Sequence, residues 1–543
     1  MSYSKLRDNV SIEPRWNTTT TGLECRYLLR DAQTQWYVWV SATEAAVAMG
    51  LRYLKYPNAE LISEYVRVRH FIEVDRASIE QIVDAFIRYG FIASEQTELH
   101  GIEKVQNLER KRIYDQMQLQ KMQDVIGWTY EKCAYYSKAF QSHFGGELPR
   151  LQTVDDIAHF PRLPKVVFRA EMPNLHPIEL EVSHNAFPTS WATSSGTSGN
   201  RVQTLTDPNR QKRFVSDCTW QFIADTLPTE KLTKCCVLTT PVCSGTECHM
   251  DINRPLSERL ISDGRRLILN SFISPAVAGE RALNEIVSDI TEFKPNVLRG
   301  ASSYIAALAR HVECNKIQLP AFDYVILGWE LNSRIHVRLL EKVFGCRVID
   351  EWGATEMMPI STKCAHGNFH VADEHHIEIV REGKPVKPGE VGQILVTSLK
   401  RHATPLIRYE IGDLARSGEA HCSCGHPSPI FANIEGRIRD VIFNTAGEPV
   451  TPREIDNIVS GETPRDGVEY YALIQHGEKQ YRFRYVPTQE VVEGFEATLT
   501  SDLRSSLGED ADISFESCRE IYPSNSGKFR LTYRDGYDKD YAW

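Results

Sequence analysis

The clearest periodicity near the start of the chain lies at Ile79, Ile82, Val83, Phe86 and Ile87, apolar positions that recur at helical spacing. Ser78 and Gln81 stand where a capping box would open that helix, and Gly90 stands where it would close. Residues 45–54 and 62–68 predict two further helices, and Gln35-Trp-Tyr-Val-Trp-Val40 has the aromatic and β-branched character of a strand. With Phe91-Ile92 opening another strand, residues 1–95 predict a winged-helix-like order of strand, three helices, strand. Residues 96–140 are charged, glutamine-rich and free of proline, which predicts a helical linker with Leu119, Met122 and Ile126 on one face.

Between residues 141 and 436 the pattern alternates. Short β-rich runs, Val237-Leu-Thr-Thr240, Tyr324-Val-Ile-Leu327 and Arg347-Val-Ile349, are separated by amphipathic stretches over 282–293 and 303–311. That is α/β organisation. Residues 437–543 predict a smaller α+β body, with strands over 470–475 and 480–486, a helix over 491–507 and a strand over 513–521.

The formal charge of -10 argues against nucleic acid as the main partner, because phosphate contacts need a basic face. No apolar run approaches the ~20 residues that span a bilayer, and the first residues lack the shape of a signal peptide. The expectation is a cytoplasmic protein with no membrane partner, whose 13 cysteines are mostly reduced.

Three segments carry candidate chemistry. Thr193, Ser194, Ser195, Gly196, Thr197, Ser198 and Gly199 form a run of small residues, five of them hydroxylated. Such a loop lets backbone N–H groups approach phosphate oxygens, although a flexible linker has the same composition. Asp350-Glu-Trp-Gly-Ala-Thr-Glu356 offers a planar face in Trp352, a hydroxyl in Thr355 and a hard oxygen ligand for magnesium in Glu356. Arg408-Tyr-Glu-Ile-Gly-Asp413 sets a carboxylate after a glycine turn, suited to holding ribose hydroxyls.

In order and spacing these segments resemble the adenylate-forming superfamily of acyl-CoA synthetases, adenylation domains and luciferases, and within it the phenylacetate–CoA ligase branch. The resemblance also draws on Leu151-Gln-Thr-Val-Asp-Asp-Ile, Phe160-Pro-Arg-Leu-Pro-Lys165, Gly328-Trp-Glu330, Pro405-Leu-Ile-Arg-Tyr409, Gly436-Arg-Ile-Arg-Asp440 and Ser526-Gly-Lys528. It implies a large adenylate-forming domain over 141–436 and a mobile lid over 437–543. It further implies that Thr193 to Gly199 cradle the β- and γ-phosphates of ATP. Gly328, Trp329, Glu330, Glu351, Trp352 and Gly353 would border the nucleotide. Thr355 would meet the α-phosphate, Glu356 the magnesium, and Asp413 with Arg437 the ribose. Arg439 falls at the hinge position and Lys528 at the lysine that reaches the α-phosphate. Asn200, residues 240–250 and residues 444–451 depart from the branch pattern, so neither the acid nor a role for CoA carries over.

Cys364-Ala-His-Gly-Asn-Phe-His370 and Cys422-Ser-Cys424-Gly supply three thiolates and an imidazole, a set suited to tetrahedral structural zinc. His366, His421 and His426 are competing imidazoles, and unmetallated thiols are the alternative. The front module resembles a PqqD-like peptide-recognition domain, which implies a leader-type peptide as partner through residues 1–95; a structural cap is the alternative. The functional expectation is activation of a carboxylic acid as acyl-AMP, followed by transfer to CoA, an amine or a thiol. Two rivals are activation of a peptide carboxylate in natural-product maturation and a degenerate peptide-binding protein.

Overall fold

The computed structural model describes residues 10–19, 22–31, 37–54, 57–70, 72–88, 91–92, 99–177, 190–193, 202–206, 234–238, 255–261, 264–269, 279–400, 403–461, 467–488, 494–537, 539, 541 and 543. Contacts divide the chain into two units, residues 1–120 with 421–428, and residues 121–420 with 429–543.

The first unit opens with an antiparallel sheet of Val10–Thr19, Gly22–Asp31 and Tyr37–Val40, in that order. Only the third strand was expected. Pro14 interrupts the pattern of the first, and Val10–Thr19 is an edge strand, the place in a sheet where proline is best tolerated. Three helices follow, Ala42–Tyr53, Ala59–His70 and Arg76–Arg88. The first carries a reciprocal capping box between Ser41 and Glu44. The third does not begin at the predicted Ser78–Gln81 box. Asp75 caps it one turn earlier, accepting from the Ser78 amide at 2.8 Å and the Ser78 hydroxyl at 3.0 Å, so the serine expected to cap is itself a donor to the cap. Val10, Leu29, Val40, Leu51, Ile62, Val66, Val83, Phe86 and Phe91 share one core. Phe91 and Ile92 are buried in it, and among the described residues no strand runs on from them.

The predicted linker helix is two helices, Leu99–Lys132 and Ala134–Phe144. The break falls at Cys133, which leaves helical geometry (φ -116°, ψ 115°) to bridge Pro177. Met122 and Ile126 are buried as expected, together with Val125.

A thirteen-stranded sheet organises the second unit. Its parallel part runs through Arg266–Ile268, Cys235–Leu238, Val297–Gly300, Tyr324–Leu327 and Arg347–Ala354. Cys235–Leu238 and Tyr324–Leu327 are buried at all four positions, the signature of strands covered on both faces. Gly300 is needed because a Cβ there would lie 1.8 Å from the Leu238 carbonyl oxygen. The amphipathic stretches are helices Glu280–Phe293 and Ser302–Cys314, joined by Arg334–Phe344. The sheet then turns antiparallel through Met358–Lys363, Phe369–Val371, Ile430–Arg437, Tyr409–Ser417, Val391–Ser398 and His375–Arg381.

The last hundred residues build a four-stranded sheet in the order Asp512–Ser517, Gln480–Pro487, Val468–Gln475, Thr532–Arg534. Helices Pro452–Ser460 and Phe495–Leu507 pack on it through Ile455, Val459, Leu499, Leu503 and Leu507. The strand expected over 513–521 ends at Ser517, and the helix expected from 491 is described from Phe495. Among the described residues no helix is long and apolar enough to cross a membrane.

Candidate active site

The antiparallel arm of the large sheet holds several of the predicted site residues, and Arg408 sets its local geometry. Its guanidinium grips Glu378 with two bonds of 2.8 and 2.9 Å and donates to the carbonyls of Ala158 and Phe160 at 2.8 and 2.5 Å. The backbone adds a clasp, because the Leu163 amide donates to Arg408 O and the Glu410 amide donates to Leu163 O, each at 3.0 Å. Five fixed donors on one planar group suit Arg to this role. The clamp holds residues 158–163 against the strand, and it delivers Lys165, the first residue of helix Lys165–Glu171, to the face that carries Glu356.

Glu356 is buried. Its Oε1 accepts from the Tyr409 hydroxyl at 2.9 Å and lies 3.4 Å from Lys165 Nζ. Burial opposes ionisation of the carboxyl, but the Lys165 ammonium and the Tyr409 hydroxyl outweigh it and hold the group below the usual glutamate range. The predicted magnesium ligand is thus an anion at neutral pH in a water-poor setting. Thr355, half-buried, precedes it in the turn after Arg347–Ala354.

Asp413 does not follow a free glycine turn as expected. It lies inside the strand Tyr409–Ser417, directly opposite Arg437, and Gly412 takes up the local distortion at φ 87°. The Trp352 indole N–H donates to Asp413 Oδ2 at 3.0 Å, and Arg437 Nε lies 3.5 Å from Oδ1. Trp352 is buried with its ring edge-on to Phe431, so the aromatic expected to face a purine also orients the carboxylate expected to face a ribose.

The residues around Gly328 are more committed to one another than the sequence suggested. Trp329 adopts a left-handed φ of 70° and lies under the Arg299 guanidinium, 5.2 Å from its ring centroid. Arg299 also pairs with the buried Glu351. Gly353 is exposed on the same strand. Glu330 is half-buried against the start of helix Ser302–Cys314. It accepts from Ser302 Oγ at 3.1 Å, from the Ser303 amide at 2.8 Å and from the Phe529 amide at 3.3 Å. Burial raises its carboxyl above the ordinary range against those bonds, with no cation among the causes.

Phe529 follows Lys528, so the C-terminal loop sits against this helix. The Tyr304 hydroxyl donates to Gly527 O at 3.1 Å, and the Tyr470 hydroxyl donates to Ser303 O at 2.7 Å. A second buried carboxylate, Asp456, accepts from Ser333 Oγ, the Arg334 amide, Arg453 Nη1 and the Tyr471 hydroxyl, all within 3.0 Å. Arg439 lies in the short turn Ile438–Asp440, 3.6 Å from Asp440, and burial lowers its guanidinium to about 10.

Of the phosphate loop, Thr193 ends the strand Ser190–Thr193 opposite Gln203. Ser194, Ser195, Gly196, Thr197, Ser198 and Gly199 lie outside the described residues, as does the 240–250 region.

The ligand atoms of Cys364, His370, Cys422 and Cys424 all lie within 4.8 Å of one another, and the first three residues are buried. Zinc–sulfur bonds of about 2.3 Å place tetrahedral ligands about 3.8 Å apart, so the set fits that ion. Of the competing imidazoles, His426 directs Nδ1 at the Ser428 hydroxyl, 2.9 Å away. Sequence reasoning assigned no role to Lys165, Tyr409 or Asp456. The signals were present: Lys165 ends a quoted motif, and Thr451-Pro-Arg-Glu454 is a capping box that announces the helix bearing Asp456.

No family model matches the chain. The phenylacetate–coenzyme A ligase of Thermus thermophilus is 26% identical over 182 residues, 31% of this chain and 40% of that protein. The phenylacetate–coenzyme A ligase of Pseudomonas putida is 27% identical over 186 residues, again 31% of this chain and 40% of that protein. The chain therefore spans well under half the length of these two relatives. Among solved structures, a 2-hydroxyisobutyryl-CoA ligase in the postadenylation state superposes with a TM-score of 0.59 at 16% identity, covering 79% of this chain and 90% of that one. The fold is that of the adenylate-forming ligases. Within that class, the phenylacetate–CoA ligases are relatives of this chain over the matched segment.

Proposed function

We propose that the protein activates a carboxylic acid with ATP, forming an acyl-AMP and pyrophosphate, and then passes the acyl group to CoA, an amine or another thiol. The observation that carries this reading is the buried Glu356, held ionised by Lys165 and Tyr409 on the same sheet arm as the Trp352–Asp413–Arg437 group. Magnesium bound at Glu356 would neutralise phosphate charge. Asp413, fixed from both sides, would accept the ribose hydroxyls, and Lys528 would meet the charge that builds on the α-phosphate oxygens. The attacking carboxylate is already ionised, so no general base is required. Residues 193–199 and Thr355 are assigned to phosphate contact, and Arg439 to the hinge. The test is pyrophosphate release from ATP across aryl, aliphatic and peptide acids, with and without CoA. Acid-dependent release supports the reading, and its absence for every acid rejects it.

The front unit favours a peptide as a second ligand, because its three-stranded antiparallel sheet has strands at both edges and strand addition is a common mode of peptide capture. A synthetic leader-type peptide should bind the full chain, and deleting residues 1–95 should abolish turnover of leader-bearing acids while sparing small ones. Equal turnover of both after deletion would reject this ligand and favour a structural cap. Structural zinc at Cys364, His370, Cys422 and Cys424 completes the proposal. Elemental analysis should find about one zinc per chain, and Cys422→Ser should lower metal content and Tm together. Full metal occupancy in Cys422→Ser would remove these residues as the ligands.

A further inference from the structure

The resemblance assigns Glu330 to the border of the nucleotide, yet among the described residues the hydrogen bonds to its carboxylate come from two other places. One is the first turn of helix Ser302–Cys314, through Ser302 Oγ and the Ser303 amide. The other is the amide of Phe529, the residue after Lys528. Helix N-termini leave unpaired N–H groups, and a carboxylate beside them is the usual remedy. Here one oxygen serves the helix and the second serves the C-terminal loop.

That loop is built to be held as a unit. The Lys528 carbonyl accepts from the Ser524 amide and hydroxyl, each at 2.9 Å, and the Gly527 amide donates to Ser524 O at 2.8 Å. Gly527 turns the chain at a φ of 73°. The loop then meets the helix at two further points. Tyr304 donates to Gly527 O, and the Phe529 ring stacks on Tyr470 at 5.1 Å, with the Tyr470 hydroxyl on Ser303 O. Contacts at residues 527 and 529 bracket Lys528 on both sides and fix its backbone.

We infer that Glu330 is a positioning residue for Lys528: it docks the Ser526–Gly527–Lys528–Phe529 loop on the N-terminus of helix Ser302–Cys314, and it does not read the adenine. The inference rests on the acyl-adenylate reading for its consequence in catalysis, but the docking can be measured without it. A reader of the base would govern ATP affinity. A dock governs how much of the enzyme has its lysine in place, which sets turnover and leaves ATP affinity alone.

Glu330→Gln separates the two oxygens. An amide can still accept from Ser302 and Ser303 through its oxygen, and it then presents an N–H₂ to the Phe529 N–H, where no bond forms. Hydrogen exchange of the full-length protein should show the Phe529 amide exchanging at least tenfold faster in Glu330→Gln, with helix Ser302–Cys314 changed less than twofold. With an acid that supports ATP–pyrophosphate exchange, kcat should fall tenfold or more while the KM for ATP stays within about threefold. Glu330→Asp, which keeps both acceptor oxygens, should recover part of the loss. Unchanged exchange at Phe529, or a rise in the KM for ATP at constant kcat, overturns the inference. If no acid supports pyrophosphate exchange in the unaltered protein, the acyl-adenylate reading fails, and the hydrogen-exchange comparison still decides the docking.

Discussion

Glu356, buried, and Glu330, half-buried, are the same side chain in two regions of one large unit, and they are driven in opposite directions. At Glu356 a lysine 3.4 Å away and a phenol hold the carboxyl below its usual range. At Glu330 three neutral donors fail to offset burial, and the carboxyl rises. Burial raises a carboxyl, and of this pair Glu356, with the Lys165 ammonium beside it, is driven the other way. The first region is therefore suited to hold positive charge on a ligand. The second is suited to hold a neighbouring backbone, because neutral hydrogen bonds are directional and do not need full ionisation.

The largest expected effect comes from removing the cation that the second region positions. Lys528→Ala should slow acyl-AMP formation by roughly 10²–10³-fold, the scale of losing one preorganised charge on a developing oxyanion. Transfer from preformed acyl-AMP should suffer much less. Equal losses in both half-reactions would show that Lys528 does not act on the phosphate.

Next in size is Asp456, the second carboxylate that joins the C-terminal residues to the main sheet unit. Four donors converge on it. Asp456→Ala should cost about 3 kcal/mol in chemical denaturation, because it leaves buried donors unpaired. A loss under about 1 kcal/mol would mean that water or a local shift replaces the carboxylate.

The strand over 324–327 was legible because a buried parallel strand reads as an unbroken apolar run; the one expected over 237–240 is described over Cys235–Leu238, since two thiols ahead of it do not announce a strand. The Trp352–Glu356 and Asp413 segments were legible as local motifs. What was not legible depends on contacts across the chain. Lys165 meets Glu356 only because the Arg408 clamp ties residues 158–163 to the strand Tyr409–Ser417, and nothing near Lys165 announces that partner. The hairpin of Val10–Thr19 and Gly22–Asp31 was hidden by Pro14, a residue that argues against a strand until the strand is known to be an edge. The Asp75 cap was missed because Ser78, three residues later, also fits a capping box.

A smaller effect tests burial that a nearby anion, Asp456, offsets only in part. His336 donates from Nε2 to Glu469 O at 3.0 Å, and burial first, then the neighbouring Arg310, lowers it from 6.5 to about 4. The folded state favours neutral imidazole, so its contribution is fully present above pH 6.5 and is lost as pH falls towards 4. At pH 5 the loss is about 2 kcal/mol. His336→Gln, which retains a donor and does not titrate, should flatten the decline in denaturation free energy between pH 7 and 5. An unchanged slope would move the pH sensitivity to another group.

The smallest effect bears most directly on the comparison, since it turns the Glu356 setting into the Glu330 setting. Lys165→Met keeps the apolar stem of the side chain and removes the ammonium. Burial of Glu356 is then opposed only by hydrogen bonds, and its carboxyl should rise. The sign follows from the direction of the native shift. A depressed carboxyl keeps the magnesium ligand ionised through the weakly acidic range, and a raised one lets protons compete there. The acid limb of the pH profile for ATP–pyrophosphate exchange should move up by about one pH unit, equivalent to ~1.4 kcal/mol, with activity approaching the native level above the new limb. Lys165→Arg keeps the charge and should keep the native limb. Uniform loss of activity in Lys165→Met at every pH, with the limb unmoved, would show that Lys165 acts by some route other than the ionisation of Glu356.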